Sequence, residues 1–166
     1  PLFISMLGNI SILKLFPYLI KHPIKFRAVN FLLFKLLGYF SYRKSTPLYR
    51  ISLRASRNLN QHLKDLDAQI NNKEWIMGND FGLADISWAV ILHRLEELQL
   101  LDHILHTYSN IGSYYKRLKK RKCFIDGITN FQNKKVNTGV MGLQKSIKNV
   151  KNLGFMYYEI KENFTR

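Results

Sequence analysis

Apolar residues recur at helical spacing along most of this chain, and nowhere do they alternate as a half-buried strand requires. The clearest stripe lies within residues 48–71. Leu59, Leu63, Leu66 and Ile70 fall at intervals of four, three and four, one face of an α-helix. Pro47 suits the first helical position, and Asn71-Asn72-Lys73 supplies a turn to end the helix. Two apolar segments precede it, residues 2–21 and 24–42, and both predict buried helices. The first carries Asn9, Lys14 and Pro17. It therefore reads as a core helix kinked or ended near Pro17, since a membrane span needs about 20 uninterrupted apolar residues. Downstream, a helix is predicted from Leu83 to about Leu101. Its residues Ile86 to Leu92 are apolar except Ser87, so cover on most sides is expected. Tyr108 to Gly112 reads as a loop, and Ile111, Tyr115 and Leu118 line one face of a shorter helix. Residues 126–139 are polar. Val140, Leu143, Ile147, Val150 and Leu153 then keep a loose helical spacing before a charged tail. The pattern predicts an all-α bundle of five to seven helices around a buried central helix. The organised domain covers residues 1–125, and residues 126–166 form a basic, loosely helical extension.

The most informative stretch runs from Trp75 to Trp88. Gly78, Asn79 and Asp80 form a turn, and Phe81 is the last apolar residue before the helix. Gly82 takes the N-cap position, which puts Asp85 at N3 and Ile86 at N4. In that register the Asp85 carboxylate accepts from the free N–H of Gly82, half of a capping box. Phe81 packs on Ile86, the hydrophobic staple that sets the entry angle of the chain. Phe81, Gly82, Asp85 and Ile86 are thus the structural residues expected to start the central helix.

This stretch resembles the start of the central helix in the C-terminal domain of the glutathione S-transferase family. The family pattern is an apolar pair, Gly, two variable residues, then Phe-Ser/Thr-x-Ala-Asp. Ile76-Met77-Gly78-Asn79-Asp80-Phe81-Gly82-Leu83-Ala84-Asp85 follows it, with Gly82 in place of the hydroxyl residue. By the ranking of caps that departure costs a few tenths of a kcal/mol. The likeness continues through Ile91 to Leu100, through Ile111 to Leu118, and into Arg121-Lys122-Cys123-Phe124, which resembles the family's Arg-x-x-Phe ending. Two branches are similar in flavour: the bacterial glutathione-dependent reductive dehalogenase and lyase group, and the ganglioside-induced differentiation-associated proteins.

Composition narrows the function classes. A chain of 166 residues with 46% hydrophobic content is the size of one packed domain. One Cys excludes a disulfide framework or a Cys-based metal site and points to a reducing, cytoplasmic setting. The chain starts at Pro1 inside an apolar run, which reads as a fragment of something longer. The net charge is +15, and no Asp or Glu occurs before Asp65. The aromatics do not interleave with the basic residues in a single-strand or RNA-binding pattern, so nucleic acid is not expected as partner.

No catalytic constellation stands out. His93 and Arg94 read either as an anion contact or as local partners of Glu97 one turn on, and the local reading is favoured. Cys123 reads as a small apolar residue at a helix end, with a redox thiol among Lys120, Arg121 and Lys122 as the alternative. His22, His62, His103 and His106 lack the spacing and acidic company of a metal site, so no metal is expected.

What the resemblance implies is more specific. It implies the substrate-binding helical half of an enzyme that attacks an electrophilic apolar compound with glutathione thiolate. Glutathione is then a co-substrate held mainly by an N-terminal thioredoxin-like domain, of which this sequence shows no pattern, and the 166 residues alone are expected to be inactive. Homodimerisation is a family habit. The alternative is a non-enzymatic docking domain for a protein or an anionic membrane surface. The segment Lys14 to Lys44, with Phe16, Tyr18, Phe26, Phe31 and Phe34, is its candidate contact.

Overall fold

The computed structural model describes residues 43–132, 134–148 and 155–164. The two helices predicted before residue 43, the membrane-contact segment up to Tyr42, His22, Val150 and Leu153 lie outside the described residues. The described residues are helical, with no strand beyond an isolated bridge between Trp75 and Gly78. The elements are α1 (Pro47–Gln69), α2 (Leu83–Glu97), α3 (Leu101–Thr107), α4 (Ser109–Lys120), the short α5 (Lys122–Phe124) running into a π-helical turn (Ile125–Thr129), α6 (Lys134–Ile147) and α7 (Phe155–Glu162). This is the all-α architecture the spacing predicts.

Helix α1 begins as its sequence suggests. Pro47 is its first residue, and the Thr46 hydroxyl accepts from the Tyr49 N–H at 3.3 Å, a side-chain cap. The stripe that predicted the helix is its packed face: Leu63, Leu66 and Ile70 are buried. Asn72, with φ of 58°, turns the chain after it.

Helix α2 stops earlier than the spacing suggested. It ends at Glu97, and Gln99 adopts a left-handed conformation with φ of 59° before α3 starts. Its apolar surface is wider than its packed one. Asp85, Ala89, Leu92 and Leu95 are buried, whereas Leu83, Ile86, Val90 and Ile91 on the other side are exposed. Cover on most sides is therefore replaced by burial along one face.

The predicted Tyr108–Gly112 loop contracts to a single hinge at Tyr108, and α4 starts at Ser109. A tertiary cap makes this economical. On α1, the Asp67 carboxylate accepts from the backbone N–H groups of Asn110 and Ile111 at 2.9 and 3.1 Å. A carboxylate at a helix N-terminus satisfies orphan donors and complements the helix dipole. The polar segment after residue 125 continues as helical turns. The Asn130 N–H donates to the Ile125 carbonyl at 2.8 Å, an i→i+5 turn, and α6 starts at Lys134.

By its contacts the chain forms two compact units, residues 1–54 with 135–159, and residues 55–134 with 160–166. Within the first, Lys44 pairs with Glu159 at 2.9 Å and Tyr49 donates to the same carboxylate. The second holds most of the described core. Leu63, Leu92, Ile104, Ile111, Tyr114 and Leu118 are all within 1% of complete burial. The end of the chain belongs to this unit. Phe164 is buried, its carbonyl accepts from the Thr107 hydroxyl at 3.0 Å, and Asn163 donates to Ser56 at 3.0 Å.

Candidate functional site

The residues singled out by sequence converge at the start of α2. Trp75 and Gly78 exchange two backbone hydrogen bonds of 2.8 and 2.9 Å, closing a tight turn. Gly78 sits at φ of +104°, a conformation that disfavours any side chain there. The turn points the Ile76 N–H at Asp85 Oδ1, 3.1 Å away. The Gly82 N–H donates to Asp85 Oδ2 at 2.8 Å, and the Tyr114 hydroxyl, from α4, donates to Asp85 Oδ1 at 2.8 Å. Gly82 is extended at the N-cap and has no hydroxyl to return, so only the carboxylate half of the box exists.

Asp85 is completely buried and forms none of the ion pairs found among the described residues. Its charge is stabilised by three aimed dipoles and by the helix N-terminus. Burial, followed by the hydrogen bond and charge of Asp85, pushes the Tyr114 hydroxyl far above the ordinary tyrosine range. That hydroxyl is a fixed donor and not a proton-transfer group. The arrangement fastens three pieces of chain together and leaves no free carboxylate for chemistry.

Around it lies a ring joint. Phe81 meets Trp75 edge to face with centroids 5.0 Å apart, and Trp75 meets Tyr114 at 6.3 Å. The Arg121 guanidinium lies 4.0 Å from the Phe81 centroid and 5.1 Å from that of Trp75. Three residues on, Phe124 is buried against His93 at 5.8 Å and Tyr115 at 6.0 Å. The two ends of Arg121-x-x-Phe124 thus pack on the turn that leads into α2 and on the second half of α2. Ile86 is 45% exposed.

The second half of α2 carries a polar cluster. Arg94 pairs with Glu97, as the local reading expects. His93 Nδ1 is 3.7 Å from Glu96 and Nε2 is 3.5 Å from Glu97. Glu96 also accepts from the Tyr115 hydroxyl at 2.7 Å and from Lys119 at 2.9 Å. Partial burial works to raise the Glu96 pKa, but Lys119, Tyr115 and His93 outweigh it and hold the carboxyl below the ordinary glutamate value. The Tyr115 hydroxyl is pushed far up by its burial and by Glu96.

Other candidates fall away from this centre. Cys123 lies in the short helix Lys122–Phe124 and is exposed. His103 Nε2 lies 3.1 Å from the Lys161 carbonyl, an inter-helix tie. Among the described residues no group of His, Cys, Asp and Glu is arranged to hold a metal, and no helix is long and apolar enough to cross a membrane. Both deeply buried tyrosine hydroxyls already donate to carboxylates. Neither fits the role of a group that lowers a thiol's pKa.

Sequence reading missed three participants. Tyr114 as third donor, Asp67 as cap of α4, and Arg117, which donates to the carbonyls of Lys73 and Glu74 at 3.0 to 3.2 Å, act across 29 to 44 residues of chain. The one available signal was the polar edge of an aromatic residue inside a helix otherwise rich in Lys and Arg.

Residues 37–124 match the family model described as "Glutathione S-transferase, C-terminal domain". The chain is also 37% identical over 70 residues to the tetrachloro-p-hydroquinone reductive dehalogenase of Sphingobium chlorophenolicum. That match covers 42% of this chain and 28% of the dehalogenase. The matched stretch therefore spans little more than a quarter of the length of this relative. No solved structure matches.

Proposed function

The chain belongs to the glutathione S-transferase family, and from that premise we propose that it is the substrate-binding helical half of a glutathione-dependent enzyme acting on an electrophilic apolar compound. The observation that carries this reading is the match over residues 37–124, at whose centre Asp85 ties the Trp75 turn, α2 and α4 into one unit. The dehalogenase relative supports a halogenated aromatic as the substrate class. Glutathione enters as co-substrate, held by a part of the family fold outside the described residues. A homodimer in the cytoplasm is the assembly and setting that fit the family.

Two assays of the 166 residues test this. Glutathione conjugation of an aryl halide is expected to be absent, and turnover by this chain alone would overturn the placement of the thiol-activating group elsewhere. Quenching of tryptophan fluorescence by a chlorinated phenol is expected to saturate, and a strictly linear, non-saturating response would contradict a substrate-binding role.

The net charge of +15 favours a second reading, docking on an anionic membrane surface. Co-sedimentation with liposomes tests it, since binding indifferent to anionic lipid would exclude electrostatic docking.

A further inference from the structure

Among the described residues, His93 is a buried polar side chain that the packing leaves incomplete. Its Nδ1 is fully buried and has no hydrogen-bond partner. Its Nε2 lies 2.7 Å from Gln132 Nε2, and that same amide nitrogen donates to Glu97 Oε1. An amide NH2 has two protons and no lone pair to offer, so both its neighbours must accept. That fixes His93 Nε2 as an acceptor and places the ring proton on Nδ1, facing Glu96 Oε2 at 3.7 Å, beyond hydrogen-bonding distance.

We propose that His93 and Gln132 form a proton-released clasp that holds the segment 125–132 against α2. A second proton on the ring would sit on Nε2 and face the Gln132 NH2, donor against donor. Turning the amide over would present its oxygen to Nε2–H but also to the Glu97 carboxylate, which repels it. Protonation therefore breaks the His93–Gln132 contact in either orientation, leaving Gln132 held by Glu97 alone and the imidazolium between Glu96 and Glu97. The remaining groups facing the ring do not substitute for the clasp. Arg94 is engaged with Glu97, Tyr115 and Lys119 from α4 are engaged with Glu96, and Phe124 presents an apolar ring. Further along, Lys122 and Asp126 pair with each other. The tethered segment includes the wide turn Ile125–Thr129 and Phe131, which is 80% exposed, so its attachment rests heavily on Gln132.

The test combines nitrogen-15 NMR of the His93 ring with amide exchange of residues 125–132 in the full chain, corrected for intrinsic rates. At the alkaline end the ring should be neutral with its proton on Nδ1. Protection of the segment should fall several-fold as the ring protonates. His93→Gln should remove the pH dependence, and Gln132→Leu should give low protection at every pH. Exchange of the α2 and α4 core amides reports whether each variant is folded. A neutral ring carrying its proton on Nε2, or wild-type protection that ignores ring protonation, would overturn the proposal. So would a folded His93→Gln chain that keeps the pH dependence.

Discussion

Asp85 near the start of α2 and Glu96 near its end are carboxylates that accept hydroxyls from adjacent tyrosines of α4, at 2.8 and 2.7 Å. Their surroundings are opposite. Asp85 is wholly buried and satisfied by dipoles, whereas the Glu96 side chain is 42% exposed and paired with Lys119. The dipoles around Asp85 come from three separate pieces of chain, so its charge is stabilised only when those pieces are assembled. Its ion-pair partner Lys119 is equally exposed and in reach of water, so that pair can rearrange at small cost. One end of the helix specifies the fold, and the other leaves room for adjustment.

The largest expected effect breaks the buried end. Asp85→Ala leaves the Ile76 N–H, the Gly82 N–H and the Tyr114 hydroxyl without an acceptor inside the core. A loss of about 3 to 5 kcal/mol in unfolding free energy is expected from denaturant titration. Tyr114→Phe removes one donor and leaves the other two, so the same titration should show a loss of about 1.5 to 3 kcal/mol.

At the exposed end, Glu96→Gln should cost only about 0.2 to 1 kcal/mol. The pH dependence separates the two substitutions further. Glu96 has a carboxyl pKa lowered in the folded chain from the ordinary 4.5. Its contribution is therefore complete above pH 4.5 and is lost as pH falls through the lowered folded value. Stability measured against pH should lose part of its acid-side slope in Glu96→Gln. The smallest effect is a gain. A Cβ at Gly82 would meet only Asp85 Oδ2 at 3.9 Å, an ordinary contact, and the backbone there is extended. Gly82→Ser restores the missing half of the box and should raise stability by a few tenths of a kcal/mol. The staple between Phe81 and Ile86 remains a prediction, and Ile86→Ala read alongside Gly82→Ser would measure it.

Local chemistry was legible in the sequence, and distant chemistry was not. The Leu63-Leu66-Ile70 face, the Pro47 start and the register of Gly82 and Asp85 follow from neighbours within a few positions. The end of α2 was not legible, because Gln99 in a left-handed conformation is a tertiary outcome in a run of good helix formers. The width of the buried face of α2 was not legible either. Leu83 and Val90 fit an apolar pattern as well as Leu92 does, and only the packing separates them. Phe124 was visible as part of a motif, but its seat between His93 and Tyr115 depends on three helices meeting. The exposure of Cys123 was not legible, because a residue type that is usually buried here sits on the outside of a short helix.

The central claim is that Asp85 couples α2 to α4 through a hydrogen bond made only in the assembled domain. A double-mutant cycle of Asp85→Asn and Tyr114→Phe measures that coupling directly. The account predicts an interaction energy of about 1 to 3 kcal/mol between the two sites. Additivity within about 0.3 kcal/mol would contradict it.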